Sequence, residues 1–225
     1  MPVKKYRSEL VSFQNPFKGI YRLEFRSLDG KFKYHPGQFL HIAIDPDFDG
    51  TGQWPESRCF SMHSNPDEET IKITYSVKGR FTNQMEQELK IGSIVWLKLP
   101  YGELFTQRHN KEKTVFIAGG TGITPFLSLF THESFNDYKD PRIYLGFKSI
   151  QYNIYMDKLN LIKSHDLKIF YEDKDGLIDI NLVFLENGID SCYFISGPPV
   201  MIKLFRQSLI SKGVHPSNVL TDEWE

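Results

Sequence analysis

The sequence predicts a two-domain protein: an antiparallel Greek-key β-barrel over residues 1–108, followed by a doubly wound parallel α/β domain over residues 112–225. Three observations predict it. The length of 225 residues suits two compact domains of about 100 residues each. The first half carries short alternating apolar and β-branched segments between turn-rich stretches. After the polar run Arg108-His109-Asn110-Lys111-Glu112-Lys113, the rhythm changes to short apolar strands separated by helical patterns.

In the first half, residues 3–13, 21–25, 38–44, 70–77 and 94–99 read as strands. Between them lie turns such as Asp45-Pro46-Asp47-Phe48-Asp49-Gly50 and Ser64-Asn65-Pro66-Asp67. Short strands at this spacing suit an antiparallel barrel. In the second half, residues 114–118, 142–147, 167–171 and 192–196 read as strands. Helical patterns run over 125–130, with Pro125 near the first turn, and over 155–163, 180–186 and 199–212. Strands alternating with helices imply a parallel sheet covered on both faces. If its strands order as 3-2-1-4-5, the first and fourth flank a crevice at their carboxyl ends.

Bulk properties narrow the function. Charged residues make up 24% of the chain and the net charge is −1, so no broad basic surface for nucleic acid is expected. The chain opens without an apolar core of signal-peptide length, and no run approaches about 18 apolar residues. No transmembrane segment is expected, and the reading is of a soluble, cytoplasmic protein. Cys59 and Cys192 are the only cysteines, which excludes a disulfide framework or a four-thiolate iron–sulfur cluster within the chain. The seven histidines lack metal-ligand spacing, so no metal site is expected.

Four segments carry candidate chemistry. Gly119-Gly120-Thr121-Gly122-Ile123-Thr124-Pro125 follows a buried strand and precedes a helix. There a pyrophosphate can approach the backbone and meet free N–H groups, although a tight strand-to-helix turn has the same needs. It is not GxGxxG, because Pro125 stands at the third glycine. Ser196-Gly197-Pro198-Pro199 also follows a strand and opens a helix, so both loops would converge on one ligand. Arg58-Cys59-Phe60-Ser61-Met62-His63-Ser64 is an extended segment in which Arg58, Phe60, Met62 and Ser64 share one side, and Cys59, Ser61 and His63 the other. It suits a long planar ligand, and equally an ordinary edge strand. Lys78-Gly79-Arg80-Phe81-Thr82 leads into a helix start, with Thr82 read as N-cap, that suits phosphate or simple capping.

Taken in order, these segments resemble the ferredoxin–NADP reductase superfamily across nearly the whole chain. Pro36-Gly37-Gln38 resembles its PGQ strand entry, and Arg58-Cys59-Phe60-Ser61-Met62-His63-Ser64 its RxYSxxS flavin motif. Gly79-Arg80-Phe81-Thr82 resembles its flavin pyrophosphate loop, and Gly119-Gly120-Thr121-Gly122-Ile123-Thr124-Pro125 its nicotinamide pyrophosphate loop. Ser196-Gly197-Pro198-Pro199 resembles CGPP, and Asp222-Glu223-Trp224 the terminal acid and aromatic. The resemblance implies FAD, with FMN the less favoured alternative because the 79–82 loop provides for a second phosphate. It implies Arg58 at the FAD pyrophosphate, Phe60 packed on the ligand, Ser61 near flavin N5, and Ser64 and Thr82 at its phosphate region. Thr121, Gly122 and Pro199 would line the nicotinamide dinucleotide, and Trp224 would border the flavin ring. Hydride would pass from nicotinamide C4 to flavin N5, with Asp222 or Glu223 relaying a proton.

Two departures stand out: Phe60 replaces the family's Tyr, and Ser196 its Cys beside the nicotinamide. They leave a second reading open, a non-catalytic redox-sensing or regulatory subunit on the same fold. Past the third strand of the second domain, Glu172-Asp173-Lys174-Asp175 lacks a Ser-Arg pair. A carboxylate there favours a free ribose 2′-hydroxyl, so NADH is preferred over NADPH, with Lys148 and Lys174 still available to a phosphate. The electron acceptor is expected to be separate, either a protein such as a ferredoxin, flavodoxin or oxygenase component, or a small molecule.

Overall fold

The computed structural model describes residues 1–160, 162 and 166–222. The chain forms two compact units: residues 1–103 with 124–132, and residues 104–123 with those from 133 onward.

The first unit is built on β1 (Lys4–Phe17), β2 (Ile20–Ser27), β3 (Phe39–Ala43), β4 (Arg58–Ser61), β5 (Thr70–Ser76), helix α1 (Arg80–Glu88) and β6 (Ile94–Tyr101). Its strands pair antiparallel in the order β4-β3-β6-β1-β2-β5. The edge strands meet through an isolated bridge between Met62 and Ile73, so the sheet curls into the expected barrel. Alternation sends Leu10, Leu23, Phe25, Leu40, Ile42, Ile71, Ile73, Leu97 and Leu99 into its interior. Burying each such side chain contributes roughly 1.5–3 kcal/mol before entropy is counted. Helix α1 closes the core with Phe81 and Met85, one turn apart on its buried face.

The second unit holds β7 (Thr114–Gly119), β8 (Pro141–Phe147), β9 (Leu167–Tyr171), β10 (Cys192–Ser196) and β11 (Val219–Thr221). All pair parallel, in the order β11-β10-β7-β8-β9. Numbered within the unit this is the 3-2-1-4-5 order. The strand over 219–221 is an addition the sequence pattern did not mark. The central strands β7 and β10 are buried on both sides, as a parallel sheet between helices requires. On one face Val115, Ile117, Tyr193 and Ile195 pack against α5 (Ile180–Asn187) and α6 (Pro199–Ser211). On the other, Phe116 and Phe194 stack with centroids 5.4 Å apart, and Tyr138 and Phe105 close over them.

Helix α2 (Thr124–Phe130) starts at the glycine loop, with Pro125 in its first turn, and groups with the first unit. Ser128 donates to the Ser64 carbonyl at 2.8 Å, and Asn65 Nδ2 to the Thr131 carbonyl at 2.7 Å. The helical pattern over 155–163 yields only the turn α3 (Met156–Leu159), with residues 161 and 163 outside the described ones. A second turn, α4 (Glu172–Asp175), follows β9. Among the described residues no helix is long and apolar enough to cross a membrane, and no three His, Cys, Asp or Glu side chains gather to hold a metal.

Candidate functional site

In the first unit, β4 presents Arg58 at its start. Its side chain is 52% exposed, donates to the Ser57 carbonyl at 2.8 Å and lies 5.2 Å over the Phe81 ring. Arg80, the first residue of α1, is more exposed still. The two guanidiniums share one carboxylate: Glu56 Oε1 accepts from Arg58 at 3.2 Å and Oε2 from Arg80. Glu56 was not singled out in the sequence. It lies at a bend two residues before β4, where no strand alternation signals its pairing with Arg58.

The helix start differs in detail from its sequence reading. Gly79 is the N-cap of α1, and Thr82 is the third helical residue. The Thr82 hydroxyl accepts from the Gly79 N–H at 3.1 Å and the Lys78 N–H at 3.0 Å, the return half of a capping box. Threonine two residues inside the helix reaches back to donors that an N-cap side chain cannot serve. No acidic residue stands in the first turn. A Cβ added at Gly79 would meet nothing within 4 Å, so the approach to this end is open.

The remaining residues of the 58–64 segment divide between a half-buried stretch and the core. Phe60 and Ser61 are half-buried, with Phe60 packed against Tyr75 at 5.7 Å. Cys59 faces His41, Sγ to Nε2 3.5 Å, and burial raises its thiol pKa against the opposing pull of Arg58. The simple two-sided alternation ends at Ser61, where β4 stops. Met62, His63 and Ser64 are all fully buried. His63 Nε2 pairs with Thr74 Oγ1 at 3.1 Å. Ser64 Oγ pairs with Tyr34 Oη at 2.8 Å and accepts from the Lys72 N–H at 3.0 Å. Its hydroxyl therefore braces the barrel. Gln38 of the PGQ segment does similar work, donating to the Gly102 carbonyl at 2.8 Å while its own backbone carbonyl accepts from the Met62 N–H at 3.1 Å.

In the second unit the two glycine loops converge, as the strand order requires. A Cβ on Gly122 would lie 2.5 Å from Gly197 Cα and N, and 2.6 Å from the Ser196 carbonyl carbon. A Cβ on Gly197 would lie 2.8 Å from Met201 Cε and 3.0 Å from the Gly119 N, at φ +150°. Only glycine permits this approach. Gly120, by contrast, has open space where its Cβ would be. Thr121 lies in the single helical turn Gly120–Ile123, and Pro198 and Pro199 start α6.

Two residues named separately in the sequence meet here. Ser196 Oγ donates to Asp222 Oδ2 at 3.0 Å, and both residues are buried. Burial pushes the Asp222 carboxyl up to about 7, with the Ser196 bond opposing. The Asp222 N–H continues the sheet by donating to the Ile195 carbonyl at 3.0 Å, which fixes the acid beside β10. Glu223 and Trp224 lie outside the described residues. Near β9, Asp175 Oδ2 accepts from the Tyr171 N–H at 2.9 Å, and Glu172 and Asp173 stay exposed. Lys148 Nζ sits 5.9 Å over the Tyr152 ring.

No family model matches the sequence. The reductase component of propane 2-monooxygenase from Mycolicibacterium goodii is 28% identical over 164 residues, 71% of this chain and 45% of that protein. The reductase component of phenol 2-monooxygenase from Pseudomonas sp. strain CF600 is 32% identical over 129 residues, 55% of this chain and 33% of that protein. In fold, the ferredoxin reductase of carbazole 1,9a-dioxygenase matches 100% of this chain and 70% of its own, with a TM-score of 0.78 at 22% identity. Phthalate dioxygenase reductase matches 97% of this chain and 67% of its own, with a TM-score of 0.79 at 20% identity. The chain is thus similar in sequence to reductase components of oxygenase systems and shares the two-unit fold of ferredoxin reductases. The matched region spans a third to about half the length of these two curated relatives.

Proposed function

We propose that this chain is an NAD(P)H-dependent flavoprotein reductase that binds FAD on its first unit and a pyridine nucleotide on its second, and passes electrons to a separate acceptor. The observation that carries the reading is the closure of the Gly122 and Gly197 loops on one another beside the buried Ser196–Asp222 pair. The chemistry of the donor set supports FAD: two exposed guanidiniums, bridged by Glu56, and a helix whose own first turn carries no acid suit a diphosphate. Open space at Gly120 and the uncharged loop backbone suit a second diphosphate.

FAD, when bound, accepts a hydride and releases electrons singly. The chain's own residues bind, orient and hold a proton. Arg58 and Arg80 neutralise the flavin diphosphate, Phe60 packs on the cofactor, and Ser61 offers its hydroxyl at flavin N5. Glycine residues 119, 120, 122 and 197, with Thr121, Pro198 and Pro199, line the pyridine nucleotide. Asp222, with its pKa near 7, holds or yields a proton at neutral pH, and Ser196 fixes its orientation. Exposed Glu172 and Asp173 favour NADH. The acceptor we favour is an oxygenase or cytochrome P450 component, because relatives are named as reductase components of such systems. The test is turnover: FAD-loaded protein reduces an artificial dye with NADH, and more slowly with NADPH. A colourless preparation that takes up no FAD and reduces no dye contradicts the reading.

A further inference from the structure

Glu56 stands where neither cofactor binding nor folding has an obvious use for it. It lies in the loop before β4 and gives one carboxylate oxygen to each of two arginines more than twenty residues apart in sequence. Arg58 is already oriented without it, by the Ser57 carbonyl and the Phe81 ring. Arg80 is the more solvated of the two, its side chain 77% exposed. We propose that Glu56 is an internal substitute for the flavin diphosphate: its carboxylate occupies the two guanidiniums until an incoming diphosphate displaces it, and it thereby sets the affinity and speed of cofactor loading. This rests on the reading that Arg58 and Arg80 hold the FAD diphosphate.

The chemistry of the exchange is simple. A carboxylate and a phosphate present oxygens to guanidinium forks in the same manner, so each satisfies the arginines in the other's absence. The ion pairs are exposed and therefore weak, which makes Glu56 displaceable. Once displaced, the carboxylate remains tethered beside the diphosphate, and like charges repel. Competition and repulsion both oppose loading: Glu56 holds one terminal nitrogen of each guanidinium, and a phosphate that takes those same donors must expel its oxygens. A neutral side chain of the same size removes the competition and leaves the loop's length and shape intact. An uncharged ligand that contains the same ring system has no phosphate to compete with Glu56 and should not feel the change.

The test compares FAD and riboflavin binding, by quenching of flavin fluorescence, to flavin-free wild type, Glu56→Gln and Arg58→Ala at low and moderate salt. Glu56→Gln should bind FAD about three- to tenfold tighter, as expected for the loss of competing exposed ion pairs, and load it faster. Riboflavin affinity should not change, and added salt should narrow the gap between Glu56→Gln and wild type. Unchanged or weaker FAD binding in Glu56→Gln, with wild type binding FAD and Arg58→Ala weakened, overturns the role of Glu56 alone. Equal tightening for riboflavin also overturns it, since the effect would not act through phosphate. Absence of FAD binding in wild type, or an Arg58→Ala variant as tight as wild type, removes both this role and the reading beneath it.

Discussion

The first unit offers phosphate long, charged and solvated side chains: Arg58 and Arg80 are 52% and 77% exposed, and a surface carboxylate holds both. The second unit offers bare backbone. Gly122 and Gly197 approach so closely that a single methyl would lie 2.5 Å from main-chain atoms, and the nearby acid is buried. On the proposed reading, the first region would bind through charge that salt and neighbours can tune. The second would bind through a backbone shape that no side chain can replace. Substitutions in the charged region should therefore alter ligand affinity and spare the fold, whereas those in the packed region should damage fold and function together.

The largest effect is expected where the two glycine loops touch. Gly122→Ala should destabilise the protein by roughly 3 kcal/mol or more, because backbone rather than a flexible side chain must move. Denaturant unfolding with and without NADH checks it; unchanged stability together with unchanged nucleotide use would break the contrast between the two regions.

Asp222 sharpens the contrast through pH. Its folded pKa of about 7 exceeds the ordinary 3.8, so the native state binds the extra proton between these values. The associated stability is fully present below about pH 4 and is lost as pH rises towards 7, on the order of 4 kcal/mol in all. Asp222→Asn should flatten that part of the stability profile relative to wild type, as followed by thermal unfolding across the range. A parallel slope in both proteins would contradict the assignment.

Ser64 tests where the first unit is itself packed. Ser64→Ala deprives Tyr34 and the Lys72 N–H of a buried partner, and should cost about 1–3 kcal/mol. Because its hydroxyl faces the barrel interior, FAD affinity measured in the folded variant should stay near that of wild type. The smallest structural effect belongs to Arg58→Ala. It should leave the unfolding free energy within about 0.5 kcal/mol of wild type while weakening FAD about tenfold.

These regions also differ in how much of them the sequence revealed. Strand periodicity and the change of rhythm near residue 110 were enough to anticipate the barrel and a parallel sheet, whereas the 3-2-1-4-5 order, which the sheet has, entered only as a condition. The paired glycine loops could be located because each follows an apolar strand and opens a helix, a context with few alternatives. Three-residue β11 is too short to show a period, and among its described residues the 155–163 pattern gives the turn Met156–Leu159 because periodicity does not set helix length. Alternation put Ser64 and His63 on opposite sides of one extended strand, but β4 ends at Ser61 and both residues are buried. The Ser196–Asp222 bond and the Glu56 bridge join residues 26 and 24 positions apart, pairings that tertiary folding creates and local pattern does not encode.

The most direct measurement is anaerobic rapid mixing of NADH with the FAD-loaded protein, followed by flavin absorbance. The account predicts bleaching of the oxidised flavin, and recovery of colour when an electron acceptor is added. A flavin that stays oxidised with both NADH and NADPH, in protein shown to bind FAD, would contradict it.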